Sequence, residues 1–156
     1  TLIEYALVTS SGIKDTHFEY KVNGPGVVTG RSGSIGKVFF VKNNFWPLNT
    51  SLYIKDFKGN FEKYIFYFLQ NFGLSKYASG AGVPTLNRNF VHNETVRSTS
   101  NIQEQKEIVE TLDVLDNHIQ SVLLAYEEEL KNLEELKKSI LQKAFSGELT
   151  NKNKAA

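Results

Sequence analysis

The chain has no cysteine and no methionine, and its 156 residues include only three histidines, three prolines and one tryptophan. Without cysteine there is no disulfide, no thiolate nucleophile and no cysteine-ligated zinc, which removes several enzyme classes together. His17, His92 and His118 lie far apart in sequence, so no local pattern supports a metal site, and none is expected. No apolar run approaches the ~18 residues that a membrane span requires, and no charged-then-apolar leader opens the chain. A cytoplasmic protein with no membrane partner is expected. Thr1 without a methionine points either to a processed start or to a fragment of a longer chain. A large net charge is missing too, since 18 Lys and Arg stand against 17 Asp and Glu. With 40% hydrophobic residues, so small a net charge argues against intrinsic disorder.

The near-neutral total conceals a division at Ser100 and Asn101. Residues 1–100 carry 11 Lys and Arg against 6 Asp and Glu, a net of +5, whereas residues 101–156 carry 7 against 11, a net of −4. The first 100 residues also hold 17 of the 19 aromatic side chains, Trp46 among them. That part should be the globular one, because aromatic burial dominates small cores.

Within it, short apolar runs at Leu2 to Thr9, Gly26 to Thr29, Lys37 to Lys42 and Ser51 to Lys55 read as strands. They are separated by joints rich in Gly, Asn and Ser, residues that supply turn geometry. Phe61, Tyr64, Ile65, Phe68, Leu69 and Phe72 recur at helical spacing, with Asn60 placed as N-cap and Gly73 as the stop. Lys76 to Asn93 has no period and reads as an irregular loop followed by a short edge segment.

The second part is a different object. Asn101 with Glu104, or Ser100 with Gln103, gives a capping-box start, and the 44 residues from Gln103 to Ser146 contain neither Gly nor Pro. At ~1.5 Å per residue, an unbroken helix of that length reaches about 66 Å. Leu112, Leu115, Ile119, Val122, Tyr126, Leu133, Leu136 and Ile140 follow alternating steps of three and four, the seam of a coiled coil. The register falters at Glu129, where Leu130 takes over the apolar role. Alone, such a helix exposes a long apolar stripe, so it needs a second helix or must fold back on its own globular half. The fold class expected is α+β: a small mixed or antiparallel β-rich domain with a short helix, then one long coiled-coil-forming helix. The expected division is 1–100, 101–150 and a disordered tail at 151–156.

Three stretches together resemble the specificity subunit of type I restriction-modification systems. Gly24 to Tyr53 (GPGVVTGRSGSIGKVFFVKNNFWPLNTSLY) is similar to the core of a target recognition domain, and Gly82 to Asn89 (GVPTLNRN) resembles the motif that closes it. Gln103-Glu104-Gln105-Lys106 opening the long helix, and Leu136 to Thr150 (LKKSILQKAFSGELT) ending it, resemble the spacer region. Arg97 to Ser100 (RSTS) stands where the family usually has an apolar-Pro-Ser approach to the helix. The resemblance implies two recognition domains and two antiparallel helices in a complete subunit, with the helices as a ruler between half-sites. This chain has one of each. Either it is a half-subunit that forms a homodimer through its helix, or it is a piece of a longer subunit.

Candidate DNA contacts fall in three places. In Gly30 to Lys37 the glycines let the backbone approach a phosphate, while Arg31 and Lys37 bracket the hydroxyls of Ser32 and Ser34. The alternative is a tight turn whose glycines serve geometry alone. A nucleotide-binding loop fits poorly, because Arg31 replaces its first Gly and Val38 its Ser or Thr. Asn87-Arg88-Asn89 offers side chains that pair with base edges. Asn87 serves equally well as a turn residue, and Arg88 suits the DNA backbone. His17, in the polar run Lys14 to Glu19, is a candidate for direct readout or part of a solvated loop. Trp46, between Phe45 and Pro47, reads as core rather than as a stacking platform.

No catalytic constellation can be placed, and no cofactor is expected. The resemblance implies the same, with methyl transfer, ATP hydrolysis and cleavage residing in other subunits. It implies double-stranded DNA and the methyltransferase subunit as partners, with the restriction and translocase subunit held indirectly. A coiled-coil adaptor that binds protein without DNA affinity is the competing function, and a small enzyme using the Gly-rich loop a third.

Overall fold

The computed structural model describes residues 4–149. Leu2, Ile3 and the expected tail at 151–156 lie outside the described residues. Contacts between Cα atoms divide the chain into two compact units, Thr1–Glu110 and Thr111–Ala156. The architecture is α+β: small, largely antiparallel sheets with short helices in the first unit, and one long C-terminal helix.

The first unit contains β1 (Tyr5–Thr9), β2 (Gly12–His17), β3 (Gly26–Gly30), β4 (Val38–Val41), β5 (Phe45–Pro47), β6 (Ser51–Tyr53), α1 (Glu62–Phe72), β7 (Ala78–Ser79), β8 (Thr85–Leu86) and α2 (Arg88–His92). One sheet has the order β2-β1-β5 and a second the order β4-β3-β6, while β7 and β8 form a small hairpin. β1 is antiparallel to β2 and parallel to β5; β3 is antiparallel to both its neighbours.

β3 explains the layering. Successive side chains of a strand point to opposite faces, and on β3 both faces are covered. Val28 joins Val8, Val41 and Phe45 in a cluster between the two sheets. Val27 joins Val38 and Leu74 on the opposite side, where Phe40, Phe66, Leu69 and Phe72 complete the packing. Both valines are at most 1% exposed, and burying each contributes roughly 1.5–3 kcal/mol.

α1 ends where its sequence says it should. Gly73 adopts φ 76°, ψ 49°, the left-handed stop that glycine reaches without a Cβ clash. Its start differs from expectation. Phe61, not Asn60, occupies the N-cap position, and it offers no capping side chain. Asn60 Nδ2 instead donates to the Phe57 carbonyl at 2.9 Å. The amide of Phe61 is taken up by Gln105 at 2.8 Å, a tertiary partner that local spacing does not reveal.

Two strands escape the sequence pattern. β2 (GIKDTH) is exposed at most of its positions and lies at a sheet edge, so no alternation marks it. β5 is three residues long and ends in Pro47. The segment read as irregular carries a 3-10 turn at Leu74–Tyr77, the β7/β8 hairpin and α2. Asn87 caps α2 by accepting the Asn89 amide at 3.1 Å. Five residues are too few for a period to show.

α3 (Ile102–Phe145) is 44 residues long. Asn101 Oδ1 accepts the Gln103 amide at 3.0 Å and the Glu104 amide at 3.5 Å, the second being one half of the expected box. Within RSTS, Thr99 takes part as well: its hydroxyl donates to Glu104 at 2.6 Å and accepts the Asn101 amide at 3.1 Å. In its first turns, which belong to the first unit, Gln105 and Val109 are buried.

The second unit is the remainder of α3, which runs through Glu129 without interruption. Leu112 is half-buried. Leu115, Ile119, Val122, Tyr126, Leu133, Leu136 and Ile140 are exposed, from 47% at Ile119 to 61% at Tyr126. Leu123 and Leu130, beside that seam, are exposed too. Among the described residues no helix is long and apolar enough to cross a membrane.

Candidate nucleic-acid interface

The Gly-rich loop and the closing motif, some fifty residues apart in sequence, are stitched together. Ser32 pairs with Thr85, the Gly33 amide donates to the Pro84 carbonyl at 3.0 Å, and the Leu86 amide donates to the Arg31 carbonyl at 2.8 Å. The turn before β6 holds the loop as well: the Arg31 and Ser32 amides donate to the Thr50 carbonyl at 2.8 and 3.3 Å. Thr29 Oγ1 donates to the Lys37 carbonyl at 2.8 Å, closing the loop's base.

Gly30 shows why a glycine is needed here. A Cβ at this position would collide with the Ser34 carbonyl and press on the Ser10 side chain. The loop therefore turns back on the chain at Gly30, and the glycine serves turn geometry. Arg31 and Lys37 are exposed beside this turn, with Ser32 and Ser34 half-buried. The Arg31 guanidinium makes one long contact, 3.5 Å to the Asn49 carbonyl. It stands on a fixed backbone with its charged end open to solvent.

Arg88 and Asn89 are exposed in the first turn of α2, immediately after the stitched strand β8. Asn87 is the cap of that helix, so its side chain serves structure. Arg88 and His92 border a largely apolar cavity of about 390 Å³ that also reaches Val27, Leu52, Leu74 and Leu86. Asp56 lies on the same cavity's wall. Hydrogen bonds from the Lys58 side chain and amide hold its carboxyl below the usual carboxylate range, and the same contact raises the Lys58 ammonium. Both side chains are exposed, so the pair adds little stability, but it keeps a negative charge on that wall.

Of the sequence-selected residues, Arg31, Ser32, Ser34, Lys37, Arg88 and Asn89 are thus gathered around one backbone junction. His17 is not among them. It pairs with Tyr5 at one end of β1, whereas Gly12 pairs with Thr9 at the other, the end that leads into Ser10 and the loop. Four residues of strand separate the two ends by about 14 Å. Trp46 departs from expectation: it belongs to neither core cluster and is half-buried, stacked on His17 with ring centroids 4.3 Å apart. Alternation along β5 sends Phe45 into the core cluster and Trp46 to the opposite face. Sequence reasoning also missed Phe18, which is 70% exposed and stacks on the same His17. An unalternating polar strand gave no signal for it.

The comparisons with known proteins agree with this geometry. In structure the chain is similar to the type I restriction-modification system S subunit from M. genitalium, with a TM-score of 0.60 and 20% sequence identity. The match covers 75% of this chain and 33% of that one; likeness at this identity shows the fold, and the chain spans about a third of its relative. No curated protein matches the chain. The model of the type I restriction modification DNA specificity domain matches residues 4–144, a span that includes the stitched loop, the closing motif and nearly all of the long helix. With nine-tenths of its length inside that match, the chain belongs to the family of type I restriction-modification DNA specificity domains.

Proposed function

We propose that this chain is a non-catalytic, sequence-specific DNA recognition subunit of a cytoplasmic type I restriction-modification complex. Residues 1–100 read one half of a bipartite site in double-stranded DNA. Residues 101–150 form the spacer, which pairs with the same helix of a second copy, sets the distance between the half-sites and docks methyltransferase subunits. The restriction and translocase subunit is held indirectly.

The observation that carries this reading is the family match across residues 4–144. Two features support its parts. Arg31, Lys37 and Arg88 are exposed around a rigid backbone junction, which suits phosphate contacts that fix register. The apolar residues of α3 beyond Leu112 are exposed along its length, and water is a poor neighbour for such a stripe. Taken alone, that stripe favours the second reading, a protein-binding adaptor with no DNA affinity.

Salt separates the two. If three cations neutralise three phosphates, log K for duplex DNA falls against log salt with a slope of about −3. Measuring duplex binding by fluorescence anisotropy between low and physiological salt should give that slope. Absence of affinity for any duplex at the lowest salt would leave the adaptor reading in its place.

A further inference from the structure

Away from the stitched loop, at the opposite end of β1, the first sheet carries a group of rings that plays no part in either core cluster. His17 of β2, opposite Tyr5, and Trp46 of β5, opposite Leu7, flank β1. Their rings stack at 4.3 Å with an interplanar angle of 28°. Phe18 stacks on the same imidazole at 4.5 Å and 18°, yet it remains 70% exposed. The Lys21 ammonium lies 5.9 Å from the Trp46 ring centroid. The Glu19 amide donates to His17 Nδ1 at 3.0 Å, which pins the imidazole with its faces against its neighbours. The column is therefore ordered before anything binds, and its end ring faces water.

In a paired duplex each base face is covered by the next base, and only edges reach the grooves. A flat ring column can be extended only by a base that has left the stack. Every base has such a face, and a neighbouring cation favours the phosphate that follows it. We propose that Phe18, His17 and Trp46 form a stacking platform for an unpaired nucleobase, with Lys21 supplying positive charge at the Trp46 end of the column. This rests on the DNA-reading function only in taking nucleic acid, rather than protein, as the occupant.

Trp46 is the sole tryptophan, so its emission reports this platform alone. The full chain is titrated with a single-stranded oligothymidylate, with a duplex carrying one extrahelical thymine, and with the same duplex fully paired. The first two should quench Trp46, and the paired duplex should not. Phe18→Ala should weaken binding of the first two by roughly 5- to 100-fold, the loss of one stacked base, and leave the paired duplex unaffected. Phe18→Tyr should restore the affinity. Because Phe18 is mostly in solvent, neither substitution removes a core contact. Equal quenching by the paired duplex, or unchanged affinity of Phe18→Ala for unpaired thymine, overturns the proposal. No quenching by any of the three also overturns it and leaves the face to a protein partner. Retention of the paired duplex, with no quenching by the single strand or by the extrahelical thymine, would refute the platform while the DNA-reading function stands. Quenching by single strands with no duplex retention would do the reverse.

Discussion

The side-chain oxygen of Gln105 accepts the backbone amide of Phe61 at 2.8 Å, joining residues 44 apart in sequence. The same carboxamide donates to Asn60 Oδ1 at 2.8 Å and to the Thr99 carbonyl at 2.7 Å. Gln105 is fully buried, and its three bonds attach the first turns of α3 to the start of α1. It supplies the cap that α1 lacks in its own sequence.

Replacing Gln105 with Leu leaves the Phe61 amide, the Asn60 oxygen and the Thr99 carbonyl without that partner. Each buried unsatisfied group costs about 1–3 kcal/mol, so the unfolding free energy should drop by at least about 2 kcal/mol. Urea denaturation should show a lower midpoint with an unchanged slope. Gln105→Glu should not rescue it, because a carboxylate accepts from Phe61 but cannot donate to the other two. An unshifted midpoint for the Leu variant would mean that the contact does not secure the helix.

The glycines of the loop and of the closing motif differ in what they tolerate. Gly30→Ala drives a methyl into the Ser34 carbonyl, and overpacking of this kind costs about 1–3 kcal/mol. Gly82, by contrast, has nothing within 4 Å of an added Cβ, and Gly82→Ala should stay within about 0.5 kcal/mol of the parent. Thermal denaturation of the two variants side by side checks the contrast. Equal stability would show that the loop can open at Gly30.

Ile119 and Leu133 are 47% and 54% exposed. If α3 pairs with a second copy as proposed, substituting both with Glu should yield monomers, because the charges would have to be buried against a second helix. Sedimentation equilibrium reads the outcome. A dimer that survives both substitutions is held by another surface.

Arg88 and Asn87 are neighbours with separate jobs. Arg88→Ala should weaken duplex binding to a similar extent across sequences and reduce the salt slope by about 1, as expected for one lost phosphate contact. Asn87→Ala removes the cap of α2, at a cost of about 1 kcal/mol, and should affect stability more than salt dependence. If Arg88→Ala altered the preferred bases instead, the guanidinium would be reading an edge rather than a phosphate.

Local pattern made part of this molecule legible. The 3.6-residue period and the absence of Gly and Pro located α1 and α3 to within a residue or two, and Gly73 was a stop because only a residue without Cβ turns left-handed at no cost. The Gly-rich loop and GVPTLNRN were both visible as motifs, but their junction was not, since a Ser32–Thr85 bridge leaves no trace in composition. β2 stayed hidden because an edge strand wet on most of its length has no buried face to enforce alternation. The setting of Trp46 is hidden for a related reason. Its apolar neighbours Phe45 and Pro47 suggest burial, whereas the strand that carries it turns Phe45 into the core and Trp46 to the other side.

Selection from a random pool of duplexes, run with the full chain and a methyltransferase partner, tests the central claim most directly. DNA reading by a paired subunit predicts enrichment of one bipartite sequence, with two half-sites at a fixed separation and symmetric in line with a two-fold axis. Recovery of a pool no different from the input, at a salt concentration low enough to preserve phosphate contacts, would contradict it.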